Sequence, residues 1–418
     1  MKQKLFIVVS VLLQSTFTKA QEKLSLEDIF SQISTNSPDL KNFDAQIRSL
    51  DEAAKGARNW ERPELSTGLW MTPYNPNLWK KQSNGNTGMG QYMISAQQMF
   101  PNRKRLDAEQ SYMQAMSSVE KEKKNASLNE LYAGAKQNYY QMIIVKKKIA
   151  VLDQDEKLLD FMIKNAELRY KNNMGKISSY YKVKAELGNI LSMRVMLENE
   201  MVQKRTMLNT LMNRDKAIPF DIDTTYMIKD YSKYQFDSTT VVNARSDIKS
   251  VDREIQLTFL QQDVERAKLK PEFGISYWHM FGFGGFPMQY TLMGTVKLPI
   301  TKSSSRASNA NVESLKWKAE SFNQQKQTII NEATGMAEGM RNEIEAKKKQ
   351  IKLFEENIIP ALQKNFQTMQ LAYENNTEEL FTLYDAWEAL YKTKLEYLDQ
   401  LQQLLLMQTD LDRILEIK

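Results

Sequence analysis

The sequence predicts a mainly α fold with a small β part, built as two duplicated halves. Each half reads as a helix, two strands and a pair of very long helices. Three observations predict this. Short landmarks recur in the same order at a nearly constant offset, helix breakers are almost absent from long stretches, and each half carries two aromatic-rich strand-like runs.

The chain opens with "MKQKLFIVVSVLLQSTFTKAQ". Lys2 and Lys4 precede an apolar run from Leu5 to Leu13, and Thr18 and Ala20 supply small residues for cleavage before Gln21. This is the pattern of a secretory signal peptide over 1–20, too short for a membrane-spanning helix. No cysteine occurs anywhere among the 418 residues, so an exported fold relies on packing alone, and no lipid anchor, catalytic thiol or cysteine metal site is available. The formal charge of +6 includes Lys2, Lys4 and Lys19, which leaves +3 after cleavage. That near balance gives no sign of nucleic-acid binding. With 15 glycines, 10 prolines and 26% charged residues, the composition is that of long solvated helices.

The duplication is visible residue by residue. In "SPDLKNFDAQI", Asp39, Lys41, Asp44 and Ile47 recur as Asp247, Lys249, Asp252 and Ile255 of "RSDIKSVDREI", an offset of 208. Pro63 and Glu64 recur as Pro271 and Glu272 at the same offset, and "MFPNRKR" resembles "KLPITKS" at an offset of 198. "YKNNMGKISSYY" from Tyr170 returns as "YENNTEELFTLY" from Tyr373, offset by 203. Such a period is too long for a solenoid, so each half, 21–215 and 216–418, is a domain-sized repeat.

In the first half, Ser25 caps a helix running to about Asn59, and Pro63 ends it. Strands follow at about 63–74 and 90–100, separated by the loop chemistry of "NPNLWKKQSNGNTGMG". From Pro101 to Tyr170 no proline occurs and Gly134 is the only glycine. Leu128, Leu131, Ala135, Met142, Val145, Ile149, Leu152, Leu159, Ile163, Ala166 and Tyr170 form a heptad seam. At 1.5 Å per residue such a helix would be about 100 Å long. The second half repeats the order, with strands at about 271–281 and 289–299 joined by "GFGGFP". The two "NN" segments, at 170–181 and 373–384, read as turns at which a long helix reverses. Asn172, Asn173 and Gly175 supply the turn angles in the first, and Asn375 and Asn376 in the second, where Glu378 takes the glycine position.

The four strands are each long enough for a tilted membrane-spanning strand. Tyr290, Leu292, Val296 and Leu298 point one way from the last strand; Thr291, Thr295 and Lys297 point the other, with Met293 as the exception. Trp70, Tyr74, Tyr92, Phe100, Phe273, Tyr277, Trp278 and Tyr290 are candidates for a membrane aromatic girdle. An open sheet edge cannot face lipid and four strands cannot close a barrel, so a spanning sheet requires several copies of the chain.

These features together resemble the TolC family of outer-membrane efflux proteins over essentially the whole mature chain. The resemblance is carried by "NSPDLK", by the prolines at the strand-to-helix junctions and by the two turns, where Arg169, Tyr170 and Gly175, then Ala372 and Tyr373, follow the family's tip motif. It implies a homotrimer whose twelve-stranded barrel sits in outer-membrane lipid of a Gram-negative bacterium, with the helices forming a trimeric α-helical barrel across the periplasm. It also implies tips that meet a periplasmic adaptor (membrane fusion protein) and an inner-membrane pump, the chain itself being a passive exit channel for drug, metal or protein cargo. Asp385 matches a family gate aspartate, while Thr382 and Ser179 depart from two others. On this reading Tyr170, Asn172, Asn173, Gly175, Lys176, Tyr373, Asn375, Asn376 and Glu378 form the adaptor-facing tip. Opposite charges, Lys171 and Lys176 against Glu374, Glu378 and Glu379, would hold it closed.

Enzymatic readings are weak. His279, the single histidine, falls in a strand among aromatics, and "GFGGFP" opens no helix that could hold phosphate. No catalytic residue, metal ligand set or cofactor is expected. Met89, Met93, Met99, Met280, Met288 and Met293 lie near the strands and offer soft-metal ligands, though methionine also fills helical cores. The alternative function is a soluble periplasmic coiled-coil adaptor or scaffold, which would share the leader and the heptads but would not require the strands.

Overall fold

The computed structural model describes residues 22–417 except Met174, Lys233 and Gln235, so the leader read over 1–20 lies outside the described residues. In chain order the elements are β1 (Glu22–Leu24), α1 (Leu26–Asn36), α2 (Pro38–Ala54), β2 (Glu64–Trp70), β3 (Gln91–Phe100), α3 (Arg103–Lys171), α4 (Ile177–Leu211), β4 (Phe220–Ile222), α5 (Ser238–Ala244), α6 (Ser246–Ala267), β5 (Glu272–Gly282), β6 (Gln289–Lys297), α7 (Lys302–Leu353), α8 (Ile359–Glu374) and α9 (Leu380–Ile414). They fall into two compact units, each drawing on both sequence halves. One, the sheet unit, comprises Asn42–Asn125 and Ser246–Asn331; the other, the tip unit, takes the described residues up to Lys41, Ala126–Arg245 and Glu332 onward.

The first helix departs from the sequence expectation. Ser25 is its N-cap in a reciprocal box with Asp28, but helix stops at Asn36 and restarts at Pro38. Ser37 takes φ −54° and ψ 125°, the extended conformation that a following proline ring enforces. A second unexpected break lies in the other half. A π turn over Phe354–Ile358 joins α7 to α8 just before Pro360, which has no N–H to donate and whose ring crowds the carbonyl four residues earlier.

In the tip unit, the middle of the predicted α3 seam is buried, with Ala135, Met142, Val145, Leu152, Leu159 and Ala166 at most 5% exposed, whereas Leu128, Leu131, Ile149 and Ile163 are half-buried and Tyr170 at its end is 47% exposed. Val183, Ile190 and Leu197 of α4, seven residues apart, share one core with Val145, Leu152, Leu159 and Ala166 and with Leu380, Leu383, Trp387 and Leu390 of α9. A second core gathers around the short parallel pair β1–β4, where Leu24, Phe220 and Ile222 pack on Ile29, Ile33, Tyr139, Met142 and Leu208. The segment linking the halves is pinned by buried Asp412 of α9. Lys136 at 2.9 Å, Lys229 at 2.7 Å and the Tyr231 hydroxyl at 2.8 Å all donate to its carboxylate. Burial and that carboxylate push the Tyr231 phenol well above its ordinary range.

In the sheet unit, β2-β3-β5-β6 form one antiparallel sheet with β2 and β6 as its edges. The register sets Leu69 opposite Tyr92, Tyr92 opposite Phe281, Phe100 opposite Phe273, and Phe273 opposite Val296. The helices of this unit are joined by ion pairs, Lys124 to Asp44 at 2.6 Å and Lys326 to Asp252 at 2.7 Å, the two aspartates lying 208 residues apart.

Candidate functional site: two helix-reversal tips and a two-faced sheet

Each tip is built by the same backbone device. The second is a complete Schellman turn: Asn376 N–H donates to Tyr373 O at 3.1 Å and Thr377 N–H to Ala372 O at 2.9 Å, with Asn376 at φ +58°. In the first, Asn173 N–H donates to Tyr170 O at 3.1 Å with φ +56°. Asparagine fills the left-handed position both times because its short polar side chain tolerates that region better than other non-glycine residues. Gly175 is not at a positive φ; a Cβ there would lie 3.4 Å from the Arg169 Cβ, so its role is close approach rather than turn angle. Asn172 continues the helix end, its N–H and side-chain amide both reaching Leu168 O, and Asn375 likewise caps α8.

The tips interlock through equivalent positions. Lys176 pairs with Glu379 at 3.3 Å and Lys182 with Asp385 at 3.1 Å, and both pairs span 203 residues, the offset at which the two Tyr-x-Asn-Asn segments recur. Lys182 also lies over the Phe381 ring at 3.7 Å and the Tyr384 ring at 4.1 Å. The Arg169 guanidinium stacks on Tyr373 at 3.9 Å and donates to its carbonyl at 2.6 Å. Burial raises the Tyr373 phenol, partly offset by Arg169, and raises Tyr384 further, burial first and then Glu186. Among the acidic residues expected at the second tip, Glu379 rather than Glu378 meets Lys176; Glu378 is exposed. Thr382 is exposed and Ser179 half-buried, while Tyr170 stands outward. Sequence reading missed Lys182 and Arg169 as partners; a search for opposite charges at one repeat offset would have found Lys182.

Beneath the tips, Trp387 Nε1 donates at 2.8 Å to Asp155, whose other carboxylate oxygen is buried with no hydrogen-bond partner among the described residues. Burial raises the Asp155 carboxyl, against Trp387 and Lys394, which lower it.

The sheet has two chemically distinct faces. Leu65, Leu69, Tyr92, Ile94, Phe100, Phe273, Ile275, Tyr277, Phe281, Tyr290, Leu292 and Val296 share one face by register, and nearly all are exposed. Ser66, Gln91, Ser95, Gln97, Ser276, Gln289, Thr291 and Thr295 share the other, with Met93 directly opposite Met280. Of the girdle candidates, Tyr92, Phe100, Phe273, Tyr277 and Tyr290 are on the apolar face. Trp70 and Trp278 are on the polar face, edge to face at 5.9 Å, and Tyr74 lies in the loop after β2. His279 is on the apolar face, 3.4 Å from the Tyr277 hydroxyl and against Phe281. No helix among the described residues is long and apolar enough to cross a membrane, and no cluster of His, Asp or Glu able to hold a metal occurs among them.

No family model matches the chain, and no curated protein matches its sequence. Solved structures do. The outer-membrane channel OprN aligns with TM-score 0.74 at 13% identity, covering 94% of this chain and 90% of that one. CusC, whose structures describe folding and transmembrane channel formation, aligns with TM-score 0.74 at 13% identity over 93% and 91%. The outer membrane protein VceC of Vibrio cholerae aligns with TM-score 0.72 at 12% identity over 93% and 95%. The chain has the fold of the outer-membrane channels, as the TolC-family resemblance implied.

Proposed function

We propose that the chain is an outer-membrane exit channel of a tripartite efflux or secretion system, conducting cargo passively from an inner-membrane pump engaged through a periplasmic adaptor. The observation that carries this reading is the sheet: an exposed apolar face, an opposite polar face and two unpaired edges, β2 and β6. Lipid against the apolar face demands that both edges be paired, and joining β2 of one copy to β6 of the next meets that demand. Three copies give twelve strands, enough to enclose water. The exposed Leu191, Val195, Met196, Val202 and Met207 of α4 support the same assembly, since neighbouring copies would cover them. The paired tips are the reading's gate, and Asp385 enters it as the partner of Lys182 rather than as a free carboxylate.

Because the chain contains no cysteine, single cysteines placed in β2 and β6 test the assembly without background. The full chain in detergent should give a disulfide-linked three-chain ladder and, in planar bilayers, conducting pores. A monomer recovered from the soluble periplasmic fraction without detergent would return the adaptor or scaffold reading.

A further inference from the structure

The end of the sheet from which the helices leave carries a concentration of positive charge that the channel reading does not use. Register places all four strand-to-helix junctions at this one end, since Glu64 is opposite Gln97, Phe100 opposite Phe273, and Glu272 opposite Lys297. Arg62 precedes β2, Arg103 and Lys104 follow β3, Lys270 precedes β5, and Lys302 and Arg306 follow β6. All six are exposed and have no ion-pair partner among the described residues. The nearby carboxylates are already engaged by other cations: Asp107 by Arg58, Glu109 and Glu272 by Arg105 at 2.9 and 2.8 Å, and Glu265 by Lys268 at 2.5 Å. In the segments that carry these six cations, Glu61 and Glu64 have no ion pair among the described residues.

The belt borders the apolar face directly. Phe100 and Phe273 are the last ring pair of that face, and Trp60, 63% exposed, meets Phe100 edge to face at 5.1 Å. A surface that changes from apolar strand to exposed indole to unpaired cation within a few residues matches a molecule with the same sequence of parts: acyl chain, glycerol, anionic headgroup. We propose that this junction is a binding belt for acidic phospholipids of the leaflet on the helix side of the membrane. The phosphate is held by Arg62, Arg103, Lys104, Lys270, Lys302 and Arg306, fixing how deep the sheet sits. The proposal rests on the reading that the sheet is embedded in lipid. Arginine supplies a planar fork to phosphate oxygens and lysine a point charge, and each cation near an anionic surface adds attraction that salt weakens. An acidic protein segment would satisfy the charges but not the adjoining apolar face.

The test uses the full chain in mixed micelles containing equimolar phosphatidylglycerol and phosphatidylcholine. The retained lipids are counted by native mass spectrometry, with pore formation measured in parallel. Wild type should retain phosphatidylglycerol several-fold over phosphatidylcholine, less so at high salt. Replacing all six cations by glutamine should bring the ratio near one, whereas Arg62→Lys, Arg103→Lys and Arg306→Lys together should keep it above one. A milder variant, Lys270→Gln with Lys302→Gln, should lower the ratio while folding normally. Lys80→Gln with Lys81→Gln, at the hairpin end of the sheet, should leave it unchanged. Equal retention by wild type, a ratio that survives both glutamine variants, or loss of preference in the Lys80 and Lys81 variant would overturn the belt. Wild type that retains phosphatidylglycerol but makes no pore would overturn the channel reading and leave the belt standing.

Discussion

The two helix-reversal tips share a backbone and differ in almost everything else. Asn173 and Asn376 adopt the same left-handed angles, yet Tyr170 is 47% exposed where its equivalent Tyr373 is 3%, and Tyr181 is 62% exposed where Tyr384 is 4%. The reason lies in the helices behind them. α9 buries a face that runs from Leu380 through Trp387 and Leu398 to Leu411, while α4 buries little more than a one-residue-per-heptad line and turns apolar side chains outward. The same turn therefore sits in front of two different helix surfaces, one packed as core and one with exposed apolar side chains.

The largest expected effect tests that division. Trp387 is 1% exposed and its equivalent, Lys184, lies on the surface. Trp387→Ala should cost about 3–5 kcal/mol, by the lost burial and the cavity left behind. Lys184→Ala should stay within about 0.5 kcal/mol. Thermal unfolding in detergent measures both, and equal losses would mean that the halves share their load.

The turns themselves should behave alike. Asn173→Ala and Asn376→Ala each force a Cβ-bearing residue without a local hydrogen-bonding side chain into the left-handed region, costing roughly 1 kcal/mol. Asn→Gly at either position should be tolerated. A large difference between the two alanine variants would show that the tips are not backbone equivalents.

These tips were legible because a polar pair recurs at a long fixed offset, and the long helix α3 because no proline interrupts its heptad seam. What escaped reading was set by contacts across the sequence. The three-residue strands β1 and β4 are too short to carry a period, and their pairing depends on Leu24 meeting Ile222. The buried hub at Asp412 joins residues 276 and 183 positions apart. The π turn at Pro360 and the break at Pro38 were carried by proline, but a helical pattern runs through both, so periodicity alone hides them. The apolar face of the sheet became readable only once register aligned four imperfectly alternating strands.

Asp155 gives a comparison by pH. Its carboxyl, raised by burial in the folded chain, holds its proton more tightly there than in the unfolded chain. Stability from this site is therefore present below the unfolded carboxylate range and lost as pH rises through the folded value. Asp155→Asn keeps an oxygen for Trp387 Nε1 and removes the charge. Its melting temperature should overtake that of wild type as pH rises, and curves that stay parallel from acid to neutral pH would remove Asp155 from this role.

The smallest effect in energy decides most about the proposed gate. Lys176 and Glu379 are about 70% exposed at the side chain, whereas Lys182 and Asp385 are 36% and 50% exposed and share the site with two aromatic rings. An exposed pair contributes about 0–1 kcal/mol, so neither should alter melting much. Asp385→Lys, however, sets two ammonium groups against each other where the tips meet, and the cheapest relief is for the tips to part. Bilayer conductance should therefore rise in Asp385→Lys, return in the exchanged double variant Lys182→Asp with Asp385→Lys, and change less on reversing Glu379. If the double variant leaks as much as the single one, attraction between the repeats is not what joins the tips, and the ring stacking of Arg169 on Tyr373, which the exchange leaves untouched, becomes the contact that holds them.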